Sequence, residues 1–473
     1  MKRNIIFPLL CSVVLLSCSK DFTNLAPISQ RNAQNFYKNQ TDFQIAINGA
    51  YDGLQLQGTY GRSYLLLSEM RSDNTNNGGG ASGLAAVLQD IDDFKEIATA
   101  AELQLCWADS YNAIARCNAI LDRIDGADFS STLKDQFKGE ALFIRSLVYY
   151  NLATIFGNIP LQLSSATSTA QINLQQSPPA EVYAQLITDL NTAAGLLPPS
   201  YTGANIGRAT KNAAKALLGK IYLTAGDKNS ARTVLQQIVV DNQYRLVDDY
   251  SKLWGPANEN GPESIFEVQY KGGGQREGSN YVEFFASPLS KSGGVGGGNT
   301  PLSVTSDVIA AFEPGDDRFR KSIYTNGNDT TYVVKYISDQ ISAFDAENNW
   351  VVLRYADVLL MLAEALGEGT EAYNLINEVR DRANLGPIDA STPGTFEEKL
   401  LHERHVEFAF ENQRWPDLLR FGVAKQVMSV HKRELRRHRF TCSLPYHKEK
   451  LTCQWVDWYR TLVNRSQTNE TSI

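Results

Sequence analysis

The sequence predicts a mostly α-helical protein, a body of packed helix pairs broken by long loop insertions and a few minor β-strands. Three observations carry this. Apolar residues recur at helical spacing over long stretches, two later segments repeat a helix-turn-helix pattern with glycine at the contact or the turn, and polar stretches rich in Gly, Asn or Ser stand between them.

The chain opens with Lys2 and Arg3, runs through apolar residues from Ile5 to Leu16, and reaches Leu15-Leu16-Ser17-Cys18. Residues 1–17 read as a lipoprotein signal peptide with Cys18 as the site of lipid attachment: a basic end, an apolar run too short to span a bilayer, and a small residue before the cut. Several acyl chains on one cysteine, palmitate among them, anchor firmly at about 0.8 kcal/mol per buried methylene. No later stretch reaches the roughly 20 apolar residues of a membrane helix, so the lipid is the expected membrane contact. Removal of Lys2 and Arg3 takes the formal charge from -7 to -9, which argues against nucleic acid as a partner.

Thr41 with Gln44 has the pattern of a capping box and opens a helix with Phe43, Ile47, Ala50, Tyr51 and Leu54 on one face. Residues 73 to 83 form a first insertion. Leu103, Trp107, Tyr111, Ile114, Leu121 and Ile124 make a second stripe; Leu133, Phe137, Ala141, Ile144, Val148, Leu152 and Ile155 make a third. Cys106 and Cys117 stand about 16 Å apart along the second of these helices at 1.5 Å per residue, too far for a disulfide, and read as small core residues. Residues 164 to 179, ending in Pro178-Pro179, form a second insertion. Ala216 to Tyr222, with Gly226 and Ala231, then shows the Leu-Gly-x-x-Tyr core of a tetratricopeptide-like pair, where glycine permits close helix contact and the aromatic fills the gap. A third insertion, residues 272 to 301, holds two glycine runs around Tyr281, Phe284 and Phe285, and Ser264 to Tyr270 and Thr331 to Ile337 predict minor strands near it. Ala356 to Ala365, a turn at Gly367 to Gly369, and Ala372 to Ala383 make another pair. The helices of residues 101 to 156 supply further members of an interrupted stack, whose insertions are where binding concentrates.

Glu140-Ala141-Leu142-Phe143-Ile144-Arg145, followed by Tyr149-Tyr150-Asn151-Leu152 and Phe156-Gly157-Asn158-Ile159-Pro160-Leu161, resembles the SusD/RagB family of nutrient-uptake outer-membrane lipoproteins. The resemblance continues in family order through Glu263 to Val268, Asp316-Asp317-Arg318, Leu353 to Leu360, Asn377-x-Val379-Arg380-x-Arg382-Ala383 and Glu403-Arg404-x-x-Glu407-Phe408, and covers Cys18 to about Gly422. It implies a SusD-like body, residues 18–428, with four tetratricopeptide-like helix pairs. The implied partner is a SusC-like TonB-dependent outer-membrane barrel transporter, to which the family member passes an oligosaccharide, glycan or peptide. The implied location is the cell outer membrane, lipid-anchored and surface-exposed, and Ser19-Lys20-Asp21 resembles the family's surface-export signal. The resemblance also sets one wall of the ligand site at the first insertion, where Asn74, Asn76 and Asn77 follow Ser72-Asp73. Sugars need aromatic faces as well as amides, so Tyr281, Phe284 and Phe285 of the third insertion are the candidates for the other wall. The first insertion holds no tryptophan, which weakens the expectation of a starch-type platform.

Apart from the resemblance, the same charged residues read as structure. Glu140 and Arg145, five apart on a helix, are expected to pair with other elements rather than each other, and Arg354, Asp357, Arg380, Arg382, Glu403, Arg404 and Glu407 as a charge network between packed helices. The alternatives to a binding protein are a surface glycan hydrolase or a repeat-based scaffold. A hydrolase needs two carboxylates about 5–10 Å apart across a sugar. Asp92-Asp93, Asp316-Asp317 and Glu397-Glu398 instead point apart as neighbours and read as solvated or capping acids. His402-Glu403-Arg404-His405 spaces its histidines three apart where a zinc-hydrolase helix needs four, and the glycine run 293–298 lacks the Lys-Ser or Lys-Thr of a phosphate loop. No catalytic residue, metal or cofactor is therefore expected.

Residues 429–473 stand apart as a basic C-terminal tail, with nine Lys or Arg against four Asp or Glu, three of the five histidines, and Cys442 and Cys453. The family's Pro-x-Pro strand and closing Gln-Asn-Pro-Gly-Tyr are missing, which points to a shifted reading frame or an unrelated end, with a divergent tail as the alternative. His438, Cys442, His447 and Cys453 read as accidental spacing rather than a zinc cluster.

Overall fold

The structure, a computed structural model, describes residues 36–77, 84–166, 174–275, 277–285, 302–325, 331–338 and 342–432. Cys18 and the cluster His438, Cys442, His447 and Cys453 lie outside the described residues.

The elements run α1 (Gln40–Asp52), α2 (Ser63–Glu69), β1 (Thr75–Asn77), α3 (Leu84–Asp92), α4 (Ala101–Leu121), α5 (Ser131–Phe156), β2 (Ile159–Pro160), β3 (Gln176–Ser177), α6 (Pro179–Leu196), α7 (Lys211–Thr224) and α8 (Lys228–Asp241). They continue with β4 (Ser264–Val268), α9 (Tyr281–Phe285), β5 (Leu302–Val304), α10 (Ser306–Ala311), α11 (Asp317–Ser322), β6 (Ile323–Thr325), β7 (Thr331–Val333), β8 (Trp350–Arg354), α12 (Tyr355–Leu366), α13 (Thr370–Arg382), α14 (Phe396–Glu407), α15 (Arg414–Arg420) and α16 (Ala424–His431). Helix dominates because long apolar stripes at 3.6-residue spacing need a partner surface, and each finds it in the next helix. Helices α1, α4, α5, α6, α7, α8, α12 and α13 pack in that order, each on its successor, which resolves into four pairs.

Gly219 shows why the Leu-Gly-x-x-Tyr pattern matters. A Cβ built there would sit 2.5 Å from Leu235 Cδ2 of α8, so only glycine lets the two helices meet at this depth. Thr210 opens α7 by accepting the Ala213 N–H, and Thr395 with Glu398 forms a true capping box on α14. The box expected at Thr41 is not the cap of α1. Asn39 takes that role, its side-chain oxygen accepting the Asp42 N–H at 3.1 Å. Asparagine placed just ahead of the helix reaches the free N–H groups first, and Thr41 is left inside the first turn.

All strands pair as two-stranded antiparallel units: β1 with β5, β2 with β3, β4 with β8, and β6 with β7. The insertions thus carry elements of their own, where the sequence reading saw loops. Cys106 and Cys117 are free and buried, as their helical spacing requires. Among the described residues no helix is long and apolar enough to cross a membrane.

Candidate functional site

The first and third insertions meet at the β1–β5 ribbon. Thr75 pairs with Val304, Asn76 with Ser303 and Asn77 with Leu302. Because the strands are antiparallel, the chain leaves Asn77 and arrives at Leu302 at the same end of the ribbon. Asn77 and Leu302, far apart in sequence, therefore sit side by side. The ribbon is anchored behind this mouth: Thr305 Oγ1 donates to the Asp73 carbonyl at 2.5 Å, its N–H donates to the Asn74 carbonyl at 3.1 Å, and Arg414 grips the Asp73 carboxylate through two bonds of 2.7 Å.

The six residues expected to meet ligand divide sharply. Asn76 and Asn77 are half-buried at the mouth, and Asn77 is held by its N–H to Asp92 Oδ2 at 3.4 Å and by its amide to Gln89 Oε1 at 3.2 Å. Asn74 is buried instead. Its amide donates to Glu69 Oε2 and its oxygen faces His405 Nε2 at 2.7 Å. Burial pushes the His405 imidazole down to about 3, with Arg414 adding to the effect, so the ring is neutral and its N–H serves Asn74.

Tyr281, Phe284 and Phe285 are the principal correction. They occupy α9 and are fully or almost fully buried. Tyr281 packs against Trp350 at 4.8 Å, Tyr270 at 5.4 Å and Tyr336 at 5.7 Å between centroids, and its hydroxyl donates to the Tyr60 carbonyl at 2.9 Å. Phe285 lies on Tyr336 at 4.9 Å. The faces a sugar would need are already covered by other rings. Their spacing, i, i+3 and i+4, is that of a helical core stripe, and burial of this much ring area outweighs exposure in a glycine-rich context.

The structure presents a different aromatic surface beside the ribbon. Hairpin β6–β7 packs with β7 against β5. Its pairing turns Ile323 and Val333 inward and Tyr324 and Tyr332 outward, and the two tyrosines meet edge to face at 5.5 Å. Tyr324 is 51% exposed. The sequence carried a usable signal: Ile323-Tyr324-Thr325 and Thr331-Tyr332-Val333 flank Asn326-Gly327, the pattern of a hairpin.

The charged motifs are structural. Glu140 pairs with Arg208 and Arg145 with Asp189, each on another element. Arg354 reaches Glu263 at 2.8 Å and Glu411 at 2.9 Å and also contacts Glu407, while Arg318 reaches Asp316, Glu403 and Glu407 within 2.9 Å. Arg404 joins Asp357 to Asp417, and Lys220 completes the site at Asp357. Burial alone would raise the Glu407 carboxyl, but Arg382, Arg354 and Arg318 around it hold it well below the usual carboxylate range. Asp316 is not solvated: it caps α11 and is buried on Arg318. Glu403 of the His402–His405 segment is likewise bound by Arg318 and Arg380.

A family model described as starch-binding and associating with the outer membrane matches residues 27–223, and a SusD-family model matches residues 320–453. The chain belongs to the SusD/RagB family. The second match runs past residue 428 into the basic tail. A SusD-like protein from Formosa agariphila is 26% identical over 90% of this chain and 92% of its own length, and the starch-binding protein SusD of Bacteroides thetaiotaomicron is 26% identical over 66% and 68%. Among solved structures, a laminarin-binding SusD-like protein superposes with a TM-score of 0.74 at 28% identity, covering 84% of this chain and 94% of that one. A SusD superfamily protein from Bacteroides vulgatus gives 0.75 at 27% identity, covering 86% and 96%. In this SusD-like fold the four helix pairs form the frame, and the ribbon and hairpin sit on it.

Proposed function

We propose that this SusD-like protein is an outer-membrane surface lipoprotein, anchored through Cys18, that captures a glycan at the mouth of the β1–β5 ribbon and delivers it to a SusC-like TonB-dependent transporter. The observation that carries the reading is the pairing of β1 with β5 beside the outward-facing pair Tyr324 and Tyr332. Exposed Tyr324 and half-buried Tyr332 offer the C–H faces of a sugar a stacking surface, and Asn76 and Asn77 offer amides to its hydroxyls. The laminarin-binding and starch-binding relatives support a glucan as ligand. Asp316, Glu403 and Glu407 are bound by arginines and Glu398 closes the capping box of α14, which supports binding without turnover.

The test is calorimetry of the protein with laminarihexaose and maltohexaose. Binding of one of them, weakened by about 1 kcal/mol or more in Tyr324→Ala or Tyr332→Ala, is the expected result. Unchanged affinity in both variants removes the tyrosine face from the site, and appearance of shorter sugars overturns the binding-only reading. Copurification of a barrel transporter tests the delivery step.

A further inference from the structure

The connector between α6 and α7, residues 197–210, crosses β4 and leaves a chamber on either side of the crossing. Gly207 marks the close approach: a Cβ there would come 2.5 Å from Gln269 Cδ, and its φ of +92° favours glycine. One chamber, about 490 Å³, opens toward the end of α1 and is lined by Tyr51, Gln55 and Gln269. The other, about 370 Å³, opens toward the turn after α8 and is lined by Tyr201, Gln243, Tyr244 and Asn260. Ile206, Gly207, Arg208 and Phe266 line both, so the two are halves of one cleft, each within the usual size of a ligand pocket. None of these residues belongs to the ribbon or the hairpin. The crossing is held rigidly. Glu140, fully buried on α5, accepts Arg208 Nη1 at 2.7 Å and the Tyr201 hydroxyl at 3.1 Å, and the Tyr51 hydroxyl accepts the Ala209 N–H at 2.9 Å.

We infer that this cleft is a second binding site, for a neutral saccharide, which does not depend on binding at the ribbon. Its chemistry selects the class. An anionic ligand would need a cation to meet it, and Arg208 is already bound to Glu140 and Asn48. A sugar needs an apolar contact for its C–H patches and amides for its hydroxyls. Ile206, 54% exposed between the chambers, supplies the first. Gln55 donates its amide to the Gln269 carbonyl at 2.6 Å, which leaves its side-chain oxygen to accept from a hydroxyl. Gln243 accepts from Asn212 at 3.0 Å, which leaves its amide N–H groups to donate on the other side. Walls set before binding lose little freedom when the ligand arrives, and the two feet of the crossing are set by one buried carboxylate.

The test uses the full chain with laminarihexaose and maltohexaose as probes, followed by calorimetry, thermal melting and hydrogen exchange. The variants are Ile206→Ala, the double change Tyr324→Ala with Tyr332→Ala, and all three together. One of the sugars is expected to slow exchange across residues 201–208, and that protection is expected to persist in the double tyrosine variant. Adding Ile206→Ala to the double variant is expected to weaken the remaining binding roughly 3- to 10-fold. Because Ile206 is exposed, its melting temperature is expected to stay within about 2 °C of the parent. Exchange of residues 201–208 that neither sugar slows at millimolar concentration overturns the inference. So does protection that vanishes when only the tyrosines are changed, or affinity that Ile206→Ala leaves untouched. The two sites fail separately: binding lost with the tyrosines alone removes the cleft and keeps the ribbon, and binding lost with Ile206 alone removes the ribbon and keeps the cleft.

Discussion

Glu407 shows how single residues hold this fold together. Three guanidiniums converge on one buried carboxylate, and removing any of them leaves charge stranded where water cannot reach it. Arg354→Ala is expected to destabilise by about 3–5 kcal/mol, read by urea unfolding, because Glu263, Glu407 and Glu411 lose their common partner. Acid has a related effect. Glu407 and Asp357 titrate well below their ordinary values in the folded state, so the stability they contribute is present above the unfolded carboxylate range and is lost as pH falls below about 4.5. Glu69 behaves oppositely. Burial raises its carboxyl to about 7, although Asn412 and Asn74 donate to it, so the folded state holds a proton that the unfolded chain releases. Stability is expected to decline between pH 5 and 7 by an amount on the order of 2 kcal/mol, and Glu69→Gln is expected to flatten that slope. Glu259, also raised to about 7 by burial, contributes to the remainder. The network was legible in the sequence because charges recur at helical spacing on apolar helices. Its wiring was not: Arg318 meets Glu403 only through tertiary packing across 85 residues.

Among the elements, the helix pairs were the most readable, since a glycine at a helix crossing and a long apolar stripe both survive in the sequence as local patterns. Gly219→Ala makes the point measurable. Its new methyl meets Leu235, so a loss of about 1–3 kcal/mol is expected, with partial recovery when Leu235 is shortened to Val. The site elements were harder to read. Three-residue strands leave too little sequence for alternation to show, and the β1–β5 pairing joins segments that no local rule connects. The aromatics of α9 misled for a definable reason: a five-residue helix inside a glycine-rich stretch has the composition of a loop and the spacing of a core. Tyr324 and Tyr332 were findable from the Asn-Gly signal, had the short flanking runs been given the weight of a hairpin.

For the whole molecule, the proposed lipid anchor and the body are expected to make separable contributions. Cys18→Ala is expected to release the protein from the membrane fraction and abolish palmitate labelling while leaving glycan affinity intact. The boundary drawn at 428 by composition falls inside α16, which continues to His431, so the change in character begins within a packed helix and not at a linker. The ribbon's two strands come from residues 75–77 and 302–304. Contacts so distant along the chain are slow to find, because a long loop must close before they contribute any stability. Helix pairs joined by three-residue turns can form early, whereas the capture surface must await almost the entire polypeptide. During refolding from urea, recovery of helical signal is therefore expected to precede recovery of sugar binding. A chain halted or clipped before residue 302 would build the first three helix pairs and no ribbon, so a site at the ribbon would exist only once most of the polypeptide has been made.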